Sequence, residues 1–474
     1  MSNHSLSSAI PDPKRWWALV LLCAAQFIVI LDTSIIGVAL PAIQQALDYS
    51  QSGLQWVFNA YVIFFGGFLL LGGRLSDLFG ARKLFMMGFV ILTLSSLLAG
   101  VAQSEEVLNI SRAIQGFGSA LIAPSAMTML TTLFMHSPKE LNKAFGFWGA
   151  SAAAGGSAGV FFGGVITQWL DWRWVFYVYV PIGLIVLVFS MKLLRAGVVH
   201  KGKVDLLGSL LVTASIVLSV YAIVQAEQAG WGTAQTVWRL IGAAVLLIAF
   251  LIVQKMKKEP LVPLGILKRH NLAFGNIVTA MLAGSWIPLW FFLNLYLQQV
   301  LNYSAISSGL ALLPMTGAIM LLMVGVTGKL MARFGFKPNL VVGLAALGGS
   351  LLMFAQTPVD GSFVANILPA SLLAAVGMAL SYIPSTVSSI SGAQPEEAGL
   401  ASGIVNTSYQ VGSALGLAAM VAISGAQTKS LLSNGTDNIL ALNGGFHSAF
   451  LTAGIVAFAA SVIALIALRQ QSKS

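Results

Sequence analysis

The sequence predicts an all-α membrane protein: fourteen transmembrane helices, arranged as two six-helix halves with two helices inserted between them. Three observations carry this. The chain has 474 residues, 57% hydrophobic and only 8% charged, with a mean hydropathy of +0.86, where a soluble domain carries roughly a quarter charged residues. Fourteen apolar runs approach or exceed the ~20 residues needed to cross ~30 Å of hydrocarbon. A short glycine- and basic-rich stretch also occurs twice.

The spans follow in order, each set off by charges or turn formers. Lys14 and Arg15 precede the first, 16–40. The second, 52–72, ends before Arg74; Arg82 and Lys83 then lead into the third, 84–103. Ser104, Glu105 and Glu106 separate it from the fourth, 107–133, whose Pro124 a helix bundle can tolerate. Lys139 and Lys143 stand at the start of the fifth, 141–168, and Arg173 precedes the sixth, 174–194. After Arg195, Lys201 and Lys203 come the seventh and eighth, 206–226 and 237–254. The basic loop KMKKEPLVPLGILKRHN (255–271) leads to the ninth, 272–298, and the tenth, 305–328. The eleventh, 338–356, ends at PVDG (358–361). The twelfth, 362–388, holds Pro384, and 399–425 and 446–468 complete the set. The first run is about 25 residues long, lacks a small-x-small cleavage site and is read as a retained span.

Lysine and arginine placement orients the chain. With the N-terminus inside, 21 of the 25 Lys and Arg residues fall on the cytoplasmic side. Arg173, Arg239 and Lys429 fall outside and Arg112 lies within a span, so both termini are expected in the cytoplasm. The net charge of +10 is then mostly a topology signal. A nucleic-acid surface would need clustered basic and aromatic residues on a soluble face, and none exists. Cys23 stands alone, which excludes an internal disulfide and a cysteine-based metal site, and reads as a packing or lipid-facing residue. His4, His136, His200, His270 and His447 fall in loops or at span ends. This pattern points away from metal chemistry and from an enzyme; no cofactor is expected.

GRLSDLFGARK (73–83) lines up with GKLMARFGFKP (328–338): Gly73, Leu75, Phe79, Gly80 and Arg82 match Gly328, Leu330, Phe334, Gly335 and Lys337. Both copies follow an even-numbered span on the same side, so the repeat is parallel. The expected organisation is a tail (1–15), a first six-helix half (16–195), two inserted helices (205–254), the basic loop (255–271), a second half (272–468) and a tail (469–474). Duplicated six-span halves suggest an alternating-access carrier, with a small-molecule path at the midplane between them.

Within the first span, FIVILDTSIIGVALP (27–41) places Asp32 in an otherwise apolar or small-residue run, where a carboxylate is expensive. It is the only acidic residue within any span. Arg112 starts ~8 Å inside its own span and Asp32 lies ~13 Å from the same surface at ~1.5 Å per residue, so the arginine could reach the carboxylate. A neighbouring cation lowers a carboxyl pKa and desolvation raises it, a balance that can tune a proton site. The structural alternatives are a permanently protonated Asp32 and a snorkelling Arg112.

These residues resemble the major facilitator superfamily. The 73–83 stretch is similar to its signature loop, matched at Gly73, Leu75, Asp77, Gly80, Arg82 and Lys83. LDTSIIGVALP is similar to the first-helix motif of the fourteen-span drug:proton antiporter branch, and SRAIQGFGSA (111–120) to its fourth-helix motif with Arg112, Gly116 and Gly118. GGSAGVFFGG (155–164) resembles the fifth-helix antiporter motif through Gly155, Gly159, Gly163 and Gly164, although Val160 stands where that motif has proline. GLASGIVNTSYQVGSALG (399–416) resembles a later helix, with Tyr409 where the branch often has arginine.

The resemblance implies a multidrug efflux transporter of the bacterial cytoplasmic membrane, coupling protons to export through Asp32 and Arg112. Tripartite-pump partners belong to some relatives, but no docking site is legible in this chain, which is read as a monomer. The 73–83 loop would serve as a gate latch through Asp77, asymmetric because Ala332 occupies that place in the second copy. Trp286, Trp290 and Asn294 recur at i, i+4 and i+8 on one helix face, suited to stacking on a flat or cationic substrate or to an interfacial belt. Gln26, Asn59, Tyr61, Asn406 and Gln410 are further pore candidates.

Overall fold

A computed structural model describes residues 14–51, 53–134, 137–194, 205–230, 232–257, 260–262, 264–390 and 398–469. Fourteen helices in it are long and apolar enough to cross a membrane. The first six spans are α1 (Arg15–Leu47), α2 (Trp56–Phe79), α3 (Ala81–Gly100), α4 (Glu105–Phe134), α5 (Pro138–Trp169) and the broken pair α6 (Trp174–Tyr177) and α7 (Tyr179–Leu193). The insert is α8 (Leu206–Ala229) and α9 (Ala234–Met256). The rest is α10 (His270–Leu295), α11 (Ala305–Leu322), α12 (Gly328–Phe334), α13 (Phe336–Phe354), α14 (Leu368–Ile390), α15 (Ala398–Ser433) and α16 (Asn438–Ala467).

Helix α1 runs straight through Pro41, where the sequence suggested an end, and stops at Asp48 in a left-handed conformation (φ 55°). Neighbouring helices make such a proline tolerable by covering the backbone groups it frees.

The internal repeat is visible in the packing. In the first half α1 lies along α5, and α4 along α2 and α3; in the second α10 lies along α15, and α14 along α11 and α13. Each half's second helix then crosses to the other half's fifth, giving two seams, α5–α11 and α2–α15. The repeated turn agrees at its hinge. Gly80 and Gly335 both adopt positive φ (92° and 81°), a region that glycine enters without the strain a side chain would bring.

The inserted pair packs on itself, and α8 also leans on α2 and α15, over one of the two seams. Its start is pinned by Asp205, which is 3% exposed. The carboxylate accepts hydrogen bonds from Lys257, from Gln254 Nε2 (2.6 Å), from the Gly208 N–H (2.8 Å) and from the Leu261 N–H (3.3 Å). Burial alone would raise this carboxyl's pKa; these donors outweigh burial and hold it below the usual carboxylate range. The fixed loop seats Leu261, Val262 and Ile266 in an apolar cluster with Phe250, Leu272, Ala401, Ile404 and Leu70. The insert thus touches both halves.

Candidate functional site

Asp32 and Arg112 come together at the middle of the first half. Both are shut away from solvent, at 1% and 0% exposure. Arg112 Nη1 donates to Asp32 Oδ2 at 2.6 Å and to Gln115 Oε1 at 2.8 Å, while Nε donates to the Val57 carbonyl at 2.8 Å. Gln115 in turn donates from Nε2 to Ser96 Oγ at 2.7 Å. The guanidinium carbon sits 4.6 Å from the Tyr61 ring centre and 5.9 Å from that of Phe176. Both faces of aromatic rings carry partial negative charge that favours a cation. Tyr61 is itself fixed by donating its hydroxyl to Ser119 Oγ at 2.9 Å.

Backbone contact makes this meeting possible. A Cβ at Gly116 would run into the Tyr61 carbonyl, so only glycine there lets α4 lie close enough to α2 for Arg112 to reach Val57. The arrangement is incomplete. Asp32 Oδ1, Arg112 Nη2 and the Tyr179 hydroxyl are buried with no hydrogen-bond partner among the described residues. A proton on Asp32 would remove the charge facing Arg112 and leave the guanidinium poorly compensated in an apolar setting, which is costly.

The other expected residues distribute around this centre. Gly155, Gly159 and Gly163 form the face of α5 that meets α1, against Phe27, Ser34 and Ile35, and Gly164 meets the Ala305 carbonyl of α11. Val160 is buried and its carbonyl lies against Gly309 across the same seam. Trp286 and Trp290 form an edge-to-face pair 6.0 Å apart on α10. Asn294 is buried, donates to the Trp290 carbonyl at 2.8 Å and lies against Gly37 of α1. Asn59 is buried and donates to Gln55 at 3.2 Å. Gln26 is half-buried on α1 and Asn406 is exposed on α15, while Gln410 abuts Gly66 at the α2–α15 seam.

In the signature loop, Gly73 lies 3.7 Å from Pro124, measured from the Cβ it lacks, Arg82 donates to the Met191 carbonyl at 2.9 Å, and Lys83 is exposed. Asp77 falls on α2, but its side chain lies outside the described residues.

Sequence reasoning missed Gln115, Ser96, Val57, Phe176 and Tyr179. Gln115 was within reach, three positions from Arg112 and on the same helix face. The others arrive from separate helices, and one contributes only a carbonyl.

At the end of the bundle where α1 finishes, the halves are joined by carboxamides. Gln44 donates to Gln51 (2.9 Å), Gln51 to Gln299 (3.4 Å) and Gln299 back to Gln44 (2.8 Å), a closed ring of three. Gln298 donates to the Val38 carbonyl at 3.1 Å beside it. A cavity of about 500 Å³ opens next to the ring, between α1, α5 and α11. At the opposite end, Gly149 of α5 and Gly317 of α11 face open space. The α5–α11 seam is closed at the Gln44 end, where Gly164 and Gly309 meet the facing backbone.

Comparison with known proteins agrees with this architecture. The chain is 36% identical to the puromycin resistance protein pur8 of Streptomyces alboniger, over 97% of this chain and 91% of that one. It is 38% identical to the cephamycin export protein CmcT of Amycolatopsis lactamdurans, over 87% and 85%. Among solved structures, an auto-inhibited POT family peptide transporter shares the fold, with a TM-score of 0.68 at 16% identity over 97% and 99% of the two chains. The nucleoside transporter NupG does so with a TM-score of 0.67 at 13% identity, over 96% and 100%. The family model described as Major Facilitator Superfamily matches residues 22–417. The chain belongs to the major facilitator superfamily, and it is a multi-pass membrane transporter, not an enzyme.

Proposed function

We propose that the chain exports hydrophobic, often cationic, compounds in exchange for protons, with Asp32 as the proton site and Arg112 as its partner. The observation that carries this is the buried Asp32–Arg112 pair at 2.6 Å, in which Asp32 Oδ1 and Arg112 Nη2 lack partners among the described residues. In an apolar interior such a pair has two protonation states that favour different surroundings, which is the property a coupled carrier needs. The deprotonated pair holds α4 against α1. A proton on Asp32 loosens that hold and lets α1, α4 and α5 shift against the second half. The names of the relatives, for resistance to puromycin and export of cephamycin, support outward transport of organic compounds.

The lysine and arginine distribution supports a cell-membrane orientation with both termini in the cytoplasm. In that orientation the carboxamide ring closes the outer end of the path. The glycine face of α5 serves the rocking of the halves, and the 73–83 loop acts as the inner latch. Protons and substrate need no partner protein in this scheme.

The test is accumulation in proteoliposomes under an imposed pH gradient. Uptake of an organic cation into vesicles acidified inside, carried by inside-out protein and abolished in Asp32→Asn, is the expected result. Accumulation down the proton gradient instead would identify a symporter that imports solute, a reading favoured by Val160 in the place of the motif proline. No substrate-dependent proton flux in either direction would make the chain a sensor.

A further inference from the structure

The sixth span breaks at Val178, between α6 and α7. Pro181 explains the break: it has no N–H for the Tyr177 carbonyl four residues back, and its ring crowds that carbonyl. One face of the span nevertheless runs through the break, because Phe176, Tyr179 and Gly183 recur at i, i+3 and i+7. The Phe176 ring centre lies 5.9 Å from the Arg112 guanidinium carbon. Gly183 is seated against Thr93 of α3, one turn before the Ser96 that holds Gln115. Tyr179 stands between these two fixed points, 1% exposed, where α7 lies along α3 and α1. Its hydroxyl is within electrostatic reach of Asp32, Arg112 and Tyr61.

Three buried polar atoms around the ion pair have no partner among the described residues: Asp32 Oδ1, Arg112 Nη2 and the Tyr179 hydroxyl. Native interiors leave few such groups, and three in one cluster mark groups that find partners in another packing or protonation state. Asp32 Oδ2 is committed to Arg112 Nη1, so an incoming proton settles on Oδ1. The acid O–H formed there needs an acceptor, and the carboxylate that precedes it needs a donor. A hydroxyl meets both needs, because its proton rotates. The Tyr61 proton is already committed to Ser119 Oγ at 2.9 Å. Tyr179 is the hydroxyl left.

We propose that Tyr179 is a positioning residue for the coupling proton, donating to Oδ1 of the Asp32 carboxylate and accepting from that oxygen once it is protonated. This rests on the reading of Asp32 as the proton site. The coupling proton comes from water and returns to water; the phenol keeps its own proton throughout and stays neutral. The break at Val178 lets Tyr179 close on Oδ1 without moving α6, so Phe176 stays beside Arg112 while the hydroxyl changes role. The titratable and charged groups facing Asp32 are Arg112 from α4, Tyr61 from α2 and Tyr179 from α7. Helices α5, α6, α10 and α11 present none to it among the described residues.

Infrared difference spectroscopy of the full chain in lipid nanodiscs, titrated with pH, reads this without any substrate. The Asp32 carboxylic acid gives a C=O band, identified by its loss in Asp32→Asn. A hydrogen bond to a charged acceptor is stronger than one from a neutral acid, so loss of the hydroxyl favours the acid. In Tyr179→Phe, which keeps the ring, the band is expected to rise in frequency and its titration midpoint to move up by about one pH unit. Tyr177→Phe, at a ring that lies against Gly100 of α3 instead, shifts neither. In the wild type a tyrosine C–O band changes at the same midpoint as the carboxyl band, a signature that needs no variant to fold. An Asp32 band that titrates identically in the wild type and Tyr179→Phe overturns the assignment and leaves Asp32 as the proton site. An equal shift in Tyr177→Phe, or no tyrosine change alongside the carboxyl, does the same. No titrating Asp32 band in the wild type overturns both.

Discussion

Arg112 holds Asp32 at 2.6 Å inside a bundle that exposes neither side chain to solvent. A buried ion pair is poor evidence for stability, because the cost of removing two charges from water rivals their attraction. Under the proposed mechanism its value lies in what a single proton would do to it. Arg112 also donates to Val57 and Gln115, and these two bonds keep the guanidinium in place when the carboxylate changes state.

Asp32→Asn keeps the shape of the side chain and removes its titration. The variant is expected to insert normally and to lose all transport driven by a pH gradient. Acidification inside proteoliposomes, followed by a pH-sensitive dye during substrate addition, reads this directly. Full coupled transport in the variant would remove Asp32 from the mechanism.

Arg112→Ala leaves a buried carboxylate without its cation and should destabilise the protein by about 3–5 kcal/mol. Asp32→Asn/Arg112→Ala should recover much of that loss, because no uncompensated charge remains. Denaturant unfolding in detergent, arranged as a double-mutant cycle, measures the difference. Simple additivity of the two single variants would contradict the pairing.

Gly164→Ala places a methyl group 2.7 Å from the Ala305 carbonyl. Overpacking of this kind costs about 1–3 kcal/mol, and here it falls only on the state in which the α5–α11 seam is closed at the Gln44 end. Spin labels at exposed positions on α5 and α11 should report a longer mean distance at that end. An unchanged distance distribution would show that the seam does not open there.

Asp205 makes a pH-dependent contribution of known sign. Its folded-state carboxyl titrates below the usual range, so the unfolded chain takes up the proton first as pH falls. The stability it supplies is fully present above the unfolded value of ~3.9 and is lost as pH drops through the lower folded value. Asp205→Asn should therefore be less stable than the wild type at pH 7, with the gap closing below about pH 4. A gap constant with pH would mean that the lost charge is irrelevant.

Much of the fold was legible because lipid imposes simple rules: long apolar runs, charges at their ends and a recurring turn. Asp32 and Arg112 were legible for the same reason, since an ionisable group in an apolar run has few structural excuses. Tyr61 looked like one polar residue among several lining a path; its place beneath the Arg112 guanidinium depends on how closely α2 and α4 approach. Asp205, Gln44, Gln51 and Gln299 were invisible. At the ends of spans, acids and amides are ordinary solvated residues, and only three-dimensional proximity turns them into a clasp and a ring. Tyr409 was noticed for the arginine it lacks; its ring partner on α14 lies 27 positions away and gives no local signal.

The three glutamines at the end of α1 form a lock without charge. Each amide that leaves the ring finds water as a replacement partner, so each bond's net worth is only about 1 kcal/mol. Release of the lock is then nearly indifferent to salt and to acidity, whereas an ionic latch in the same place would stiffen or fail with both. Under the proposed proton-coupled cycle, the protein would keep its outer door on a constant spring and leave acid sensing to the single carboxylate below it.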